Sequence, residues 1–225
     1  MRRLAILRPE PGASATVERA RTFGLDAFAL PLFEVAAVAW EVPHADQFDA
    51  LLLTSANAVR HGGKGLDQLR QLPVYAVGIA TAAAARAAGF EVATCGDGGV
   101  KQLLGSILPD VRLLHLCGEH RTAAEPRQKI TALAVYRSSP LPAPDDLRQI
   151  AGQAVAVHSP RAGRRLAELV DQSGIDRGAI RIAAISAAAA AAAGTGWERI
   201  EAAAAPDGAA LLALASRLCD NPVTK

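Results

Sequence analysis

Five hydroxyl residues, Thr54, Ser55, Thr81, Ser159 and Ser186, stand where short β-rich runs give way to segments of helical period. Such an oxygen can cap a helix by accepting a backbone N–H. Together the five also place free N–H groups and hydroxyls along one edge of each sheet, where parallel α/β folds bind ligands. Both readings stay open, and the second suits a ligand with several carboxylates. Arg8 follows the first apolar run, and Arg121 closes Gly118-Glu119-His120-Arg121 after another, so each is either a solvated loop arginine or an anion contact. Tyr136 lies in an extended stretch, where its phenol either packs or meets a ligand.

Other chemistries lack their usual support. His44, His61, His115, His120 and His158 form no i,i+4 pair, so no metal site is expected. There is no Gly-x-Ser-x-Gly elbow, no phosphate loop ending in Gly-Lys-Ser/Thr, and no Gly-x-Gly-x-x-Gly after the first run. The three cysteines, Cys95, Cys117 and Cys219, have no metal-ligand or redox spacing.

The elements that must position these residues alternate regularly. Apolar runs at 4–7, 27–30, 50–53, 74–77, 91–94, 113–116, 154–158 and 181–185 are interleaved with alanine- and leucine-rich helical segments, one of them at 81–88. The fold class is therefore α/β, with parallel sheets covered by helices on both faces. Two stretches, 31–43 and 133–144, break the alternation and read as linkers. The expected division is a first lobe from 1–33 plus 140–225, built from both chain ends, linker strands at 34–42 and 132–139, and an inserted lobe at 43–131. A hinged cleft would follow. An internal echo supports two related halves: Leu51-Leu52-Leu53-Thr54-Ser55-Ala56 matches Val155-Ala156-Val157-His158-Ser159-Pro160, and Val77-Gly78-Ile79 matches Ile185-Ser186-Ala187.

The chain's 24 basic and 22 acidic residues, without a basic-aromatic run, argue against nucleic acid. No export signal is read at the start, and the longest apolar stretch, 182–193, falls short of a membrane span. A cytoplasmic monomer with no membrane contact is expected.

The ordered set Leu7-Arg8-Pro9, Leu30-Pro31-Leu32, Thr54-Ser55-Ala56-Asn57-Ala58-Val59, Val77-Gly78-x-x-Thr81-Ala82, Gly118-x-x-Arg121, Val135-Tyr136-Arg137 and Ser159-Pro160 resembles uroporphyrinogen-III synthases over nearly the whole chain. The resemblance implies two α/β lobes on a two-stranded linker. It also implies a cofactor-free, metal-free enzyme of haem biosynthesis that closes hydroxymethylbilane, a linear tetrapyrrole polycarboxylate, into uroporphyrinogen III. Water is lost, and the last pyrrole is inverted through an azafulvene and a spiro intermediate. Tyr136 matches the family's linker tyrosine, a proton donor to the departing hydroxyl. Thr54, Ser55, Ala56, Thr81 and Gly118 would hold substrate, with Arg8, Arg121, Ser159 and Ser186. The sequence departs from the family at 186–189, where Ser186-Ala187-Ala188-Ala189 lacks a hydroxyl near 189, and at His158, where a small or hydroxyl residue is usual. The competing reading is a two-lobed small-molecule binding module without catalysis.

Overall fold

The structure, a computed structural model, describes residues 1–96, 99–120 and 127–220. In chain order its elements are β1 (Leu4–Ile6), α1 (Gly12–Thr22), β2 (Ala27–Ala29), β3 (Phe33–Ala37), β4 (Ala50–Leu53), α2 (Ala56–His61), β5 (Val74–Val77), α3 (Ile79–Ala87) and β6 (Val92–Gly96). There follow α4 (Val100–Ser106), β7 (Arg112–Gly118), β8 (Lys129–Pro140), β9 (Ala154–Val157), α5 (Pro160–Gln172), β10 (Arg181–Ala184), α6 (Ala187–Ala193), β11 (Arg199–Ala202) and α7 (Gly208–Cys219). The fold is α/β with parallel sheets, as the alternation predicts.

Two compact units divide the chain, Met1–Glu34 with Pro140–Lys225, and Val35–Ser139. The first holds a sheet in the order β11-β10-β9-β1-β2, parallel throughout. Strands β1 and β9 are apolar at every position, and β10 is apolar after Arg181, because both faces are covered. Leu4, Ile6, Ala154 and Ala156 pack beneath α1 and α7, whereas Ala5, Val155 and Val157 pack beneath α5 and α6. Seven consecutive alanines make α6 thin, and Gly163 lets α5 approach it closely: a Cβ there would stand 2.8 Å from the Ala189 carbonyl oxygen.

The second unit holds a sheet in the order β3-β8-β7-β4-β5-β6, and the pairs β7–β8, β7–β4, β4–β5 and β5–β6 are parallel. Leu51, Leu53, Leu114 and Leu116 meet α2 and α3 on one face, and Ala50, Leu52 and Leu113 meet α4 on the other. The two segments that cross between the units pair with each other. Leu141 N–H donates to the Leu32 carbonyl and Val38 N–H to the Val135 carbonyl, which sets β3 antiparallel to β8.

Both sheets have one plan: β11-β10-β9-β1-β2 corresponds strand for strand to β6-β5-β4-β7-β8. The sequence echo falls on equivalent places, the turns from β4 to α2 and from β9 to α5.

Candidate functional site

In the second unit the turn after β4 does two jobs. Ser55 takes extended backbone and caps α2, its Oγ accepting from Asn57 N–H at 3.2 Å. Thr54 bonds instead across the sheet, its Oγ1 3.1 Å from Nε2 of the buried His115 on β7. Ala56, the first helical residue, is buried.

Tyr136 reaches this turn because of a β-bulge. β7 and β8 pair in step through Cys117 and Ala134, but Gly118 pairs with Tyr136, leaving Val135 as the extra residue. A bulge lets two successive residues serve one face of a sheet. Val135 and Tyr136 accordingly both pack into the cluster under α2 and α3. The ring lies against Gly118, where a Cβ would meet its Cε2 at 2.7 Å and its hydroxyl at 3.2 Å. Gly118 is thus the seat of the tyrosine ring, a role the sequence reading did not give it.

Burial pushes the Tyr136 phenol above its ordinary pKa, while the facing Ser55 hydroxyl and Gly118 backbone draw it partly back. The phenol stays protonated at neutral pH. The His61 ring stands 6.3 Å from the tyrosine ring, tilted by 39°. Burial, then the neighbouring Arg60, lowers its pKa, so it is held neutral. Sequence periodicity had no means of bringing His61 or His115 here. His115 emerges from the register of β7 against β4, and His61 from the shortness of α2.

Thr81 corrects the expectation that it marks the start of its helix. α3 begins at Ile79, with Gly78 in the cap position and no side-chain cap, so Thr81 is a buried residue of the first turn. The helix expected at 81–88 runs instead from Ile79 to Ala87, because the chain turns at Gly78 with φ 83°. Arg121 lies outside the described residues.

In the first unit Ser159 caps α5 through Ala162 N–H at 3.1 Å, and Ser186 caps α6 through Ala189 N–H at 3.3 Å. The helices after β1 and β9 cover opposite faces of the sheet, which makes the gap between these neighbouring strands its topological switch point. Arg8 follows β1 there. Its guanidinium folds over Gly12, where a Cβ would lie 2.6 Å from Nε, and donates to Thr16 Oγ1 at 3.3 Å. His158 follows β9, with its Nδ1 sealed from solvent and without a hydrogen-bond partner. Burial, then the Arg8 and Arg19 charges, depress its pKa to about 3 against the pull of the Ala156 backbone.

Among the described residues no group of three or more His, Cys, Asp or Glu is placed to hold a metal, and no helix is long and apolar enough to cross a membrane.

A family model described as uroporphyrinogen-III synthase HemD matches residues 14–213. Among solved structures, a uroporphyrinogen-III synthetase from Helicobacter pylori aligns with 97% of this chain and 100% of its own, at 19% identity and a TM-score of 0.65. A mutant uroporphyrinogen III synthase from the extremely thermophilic bacterium Thermus thermophilus aligns with 97% of this chain and 99% of its own, at 22% identity and a TM-score of 0.52. At these identities the structural likeness establishes the fold. The search of curated proteins gave no match.

Proposed function

This chain belongs to the uroporphyrinogen-III synthase family, an enzyme class of tetrapyrrole biosynthesis, and on that premise we propose how its own residues close hydroxymethylbilane to uroporphyrinogen III. The observation that carries the reading is the protonated Tyr136 phenol on the bulge beside Ser55. Tyr136 donates its proton to the departing hydroxyl, which leaves as water while the pyrrole nitrogen lone pair forms the protonated azafulvene, an azafulvenium cation whose charge balances that of the phenolate. The phenolate is received by the Ser55 hydroxyl and the Gly118 N–H, the two groups that already oppose the effect of burial.

The remaining task is conformational. The substituted carbon of the last pyrrole must attack before the unsubstituted one does, so the bilane has to be held in the productive shape. Thr54, Ser55, Ala56, Thr81, Gly118 and Arg121 contribute from the second unit, and Arg8, Ser159 and Ser186 from the first. Hydroxyls, helix N-terminal amides and arginine suit acetate and propionate groups. The paired segments β3 and β8, at the two chain crossings, serve as the linker between the lobes. The protein acts in the cytoplasm as a monomer, without cofactor.

Product analysis tests the reaction. Purified protein is given freshly generated hydroxymethylbilane, the product is oxidised, and type I and type III isomers are separated. Type III in excess over the protein-free control is the expected result. Type I alone would leave a binding module without catalysis.

A further inference from the structure

Both units bury nearly all their large apolar side chains, and the exceptions fall unevenly. Among the described residues Met1, Phe23, Ile79 and Leu108 are exposed. Met1 precedes β1, Phe23 lies between α1 and β2, and Leu108 between α4 and β7, so these three stand at the edges where strands begin. Of the four only Ile79 follows a strand. β5 ends at Val77 and α3 starts at Ile79, which is 80% exposed at the edge where parallel α/β sheets bind ligands.

The start of α3 is built so that Ile79 stays outside. The Gly78 N–H donates to the Gly96 carbonyl at 2.7 Å, which ties the turn to β6, and a Cβ placed on Gly78 would meet nothing within 4 Å, so the turn opens on space. Thr81, Ala82 and Ala85 form the buried face of the helix, and apart from Arg86 no other residue of α3 is larger than threonine. Burial of an isoleucine is among the stronger stabilising contributions a side chain can make, yet α3 sets its one large apolar side chain where it covers nothing of its own fold. The register brings that side chain to the site. Leu53 pairs with Ala76, so Ser55 comes level with Gly78 at about one strand spacing, roughly 5 Å. Ile79 thus stands next to the cap whose hydroxyl faces Tyr136.

We propose that Ile79 is a positioning contact for the substrate: its side chain lies against the face of the pyrrole whose hydroxymethyl group Tyr136 protonates, and binding of the bilane covers it. The contact rests on the synthase reading, which supplies the bilane. The other groups assigned to the site are hydroxyls, amides and arginines, which suit the carboxylates at the rim of each pyrrole and leave the ring faces unheld. A ring held only by its rim can rock about those contacts, and its hydroxyl then swings out of line with the phenol. An apolar wall against the ring fixes that angle. Isoleucine suits the task because branching at Cβ leaves its side chain few rotamers. No covalent bond involves Ile79.

The test compares Ile79→Ala with Leu108→Ala, an exchange of a side chain that is also exposed, by 69%, at the opposite edge of the same sheet. The kcat, the KM and the share of type III product are measured with freshly generated hydroxymethylbilane. Alanine is a better helix former than isoleucine, so Ile79→Ala keeps its fold, which urea melts check. Ile79→Ala lowers kcat about tenfold and changes KM by less than about threefold, as for a lost orienting contact on a substrate still gripped by its carboxylates. Its type III share falls as spontaneous closure to type I competes with the slowed turnover. Ile79→Val, shorter by one carbon, stands between, and Leu108→Ala keeps the kcat of the wild type. A wild-type kcat in Ile79→Ala, or equal losses in Ile79→Ala and Leu108→Ala, overturns the contact while type III formation by the wild type keeps the synthase reading intact. A raised KM with kcat unchanged overturns it too, since that marks a contact that binds without orienting. Absence of type III product from the wild type overturns the reading itself, and the contact with it.

Discussion

The turn from β4 to α2 and the turn from β9 to α5 occupy equivalent places in two sheets of one plan, yet their surroundings differ in charge. After β4 stands Thr54, level with Cys117 across the register and bonded to a buried His115. After β9 stands His158, level with Arg8, with a sealed nitrogen and two guanidinium groups pressing on it. The same scaffold thus yields, among the described residues, an edge where hydroxyls and amides surround the Tyr136 phenol, and an edge where arginines surround a histidine. Strand order fixes where a ligand meets each sheet. The residue before each cap decides what kind of ligand group it meets.

If the second unit's edge does the proton transfer, its variants should act on turnover, and those of the first unit on binding. Tyr136→Phe keeps the ring on Gly118 and removes only the hydroxyl. It should lower kcat by about 100-fold or more with KM changed little, as for loss of a general acid. Unchanged turnover would remove Tyr136 from the mechanism. Gly118→Ala tests the same ring from beneath: the added methyl meets Cε2 at 2.7 Å, so the ring must shift. We expect loss of most of the turnover and roughly 1–3 kcal/mol of stability, read by kinetics and by urea melts. A Gly118→Ala protein with wild-type kcat would show that the bulge geometry is irrelevant.

The sequence shows the units better than it shows the site, and the reason is local. A strand covered on both faces reads as an apolar run wherever it occurs, so β4 and β9 are legible in Leu51-Leu52-Leu53 and Val155-Ala156-Val157. Ser55, Ser159 and Ser186 are legible as caps because a cap depends only on its own turn. What Tyr136 touches depends on a bulge one residue long between strands distant in sequence, for which Val135 carries no signal. The Thr81 hydroxyl suggests a cap, whereas the chain turns three residues earlier at Gly78. His158 was visible as a departure from the family pattern, but only the register with β1 gives that departure a neighbour.

Acid stability separates the two edges more gently. The His158 pKa lies near 3 in the folded protein and at 6.5 when unfolded, so between these values the unfolded chain binds a proton that the folded one does not. Stability therefore rises with pH through this window and is lost as pH falls from 6.5, by at most about 1.4 kcal/mol per pH unit for one group. His61 is lowered in the same sense and keeps its share, and Asp49, held at about 2 by the hydrogen bonds of Arg112, enters only below 3.8. Denaturant melts at pH 4.5, 5.5 and 6.5 should show His158→Asn losing less stability on acidification than the wild type. Parallel curves would mean that the His158 ring is no more buried than a surface histidine.

The smallest effect divides the serine caps. Each should lose about 1 kcal/mol on replacement by alanine, since each accepts a backbone N–H at its helix start. Beyond that common cost, Ser55 differs from the other two. Its oxygen accepts from Asn57 N–H, which leaves its hydrogen to donate to the Tyr136 oxygen as the phenol loses its proton. Ser55→Ala should therefore cost a further twofold to tenfold in kcat, about the worth of one hydrogen bond made in the transition state. Ser159→Ala and Ser186→Ala should act through KM if, as proposed, the helix N-terminal amides they cap hold substrate carboxylates. The kcat and KM of the three variants, measured beside their melting curves, check the division. If Ser55→Ala altered KM alone, as the other two do, the phenolate would find its support elsewhere, and the two edges would differ in charge without differing in task.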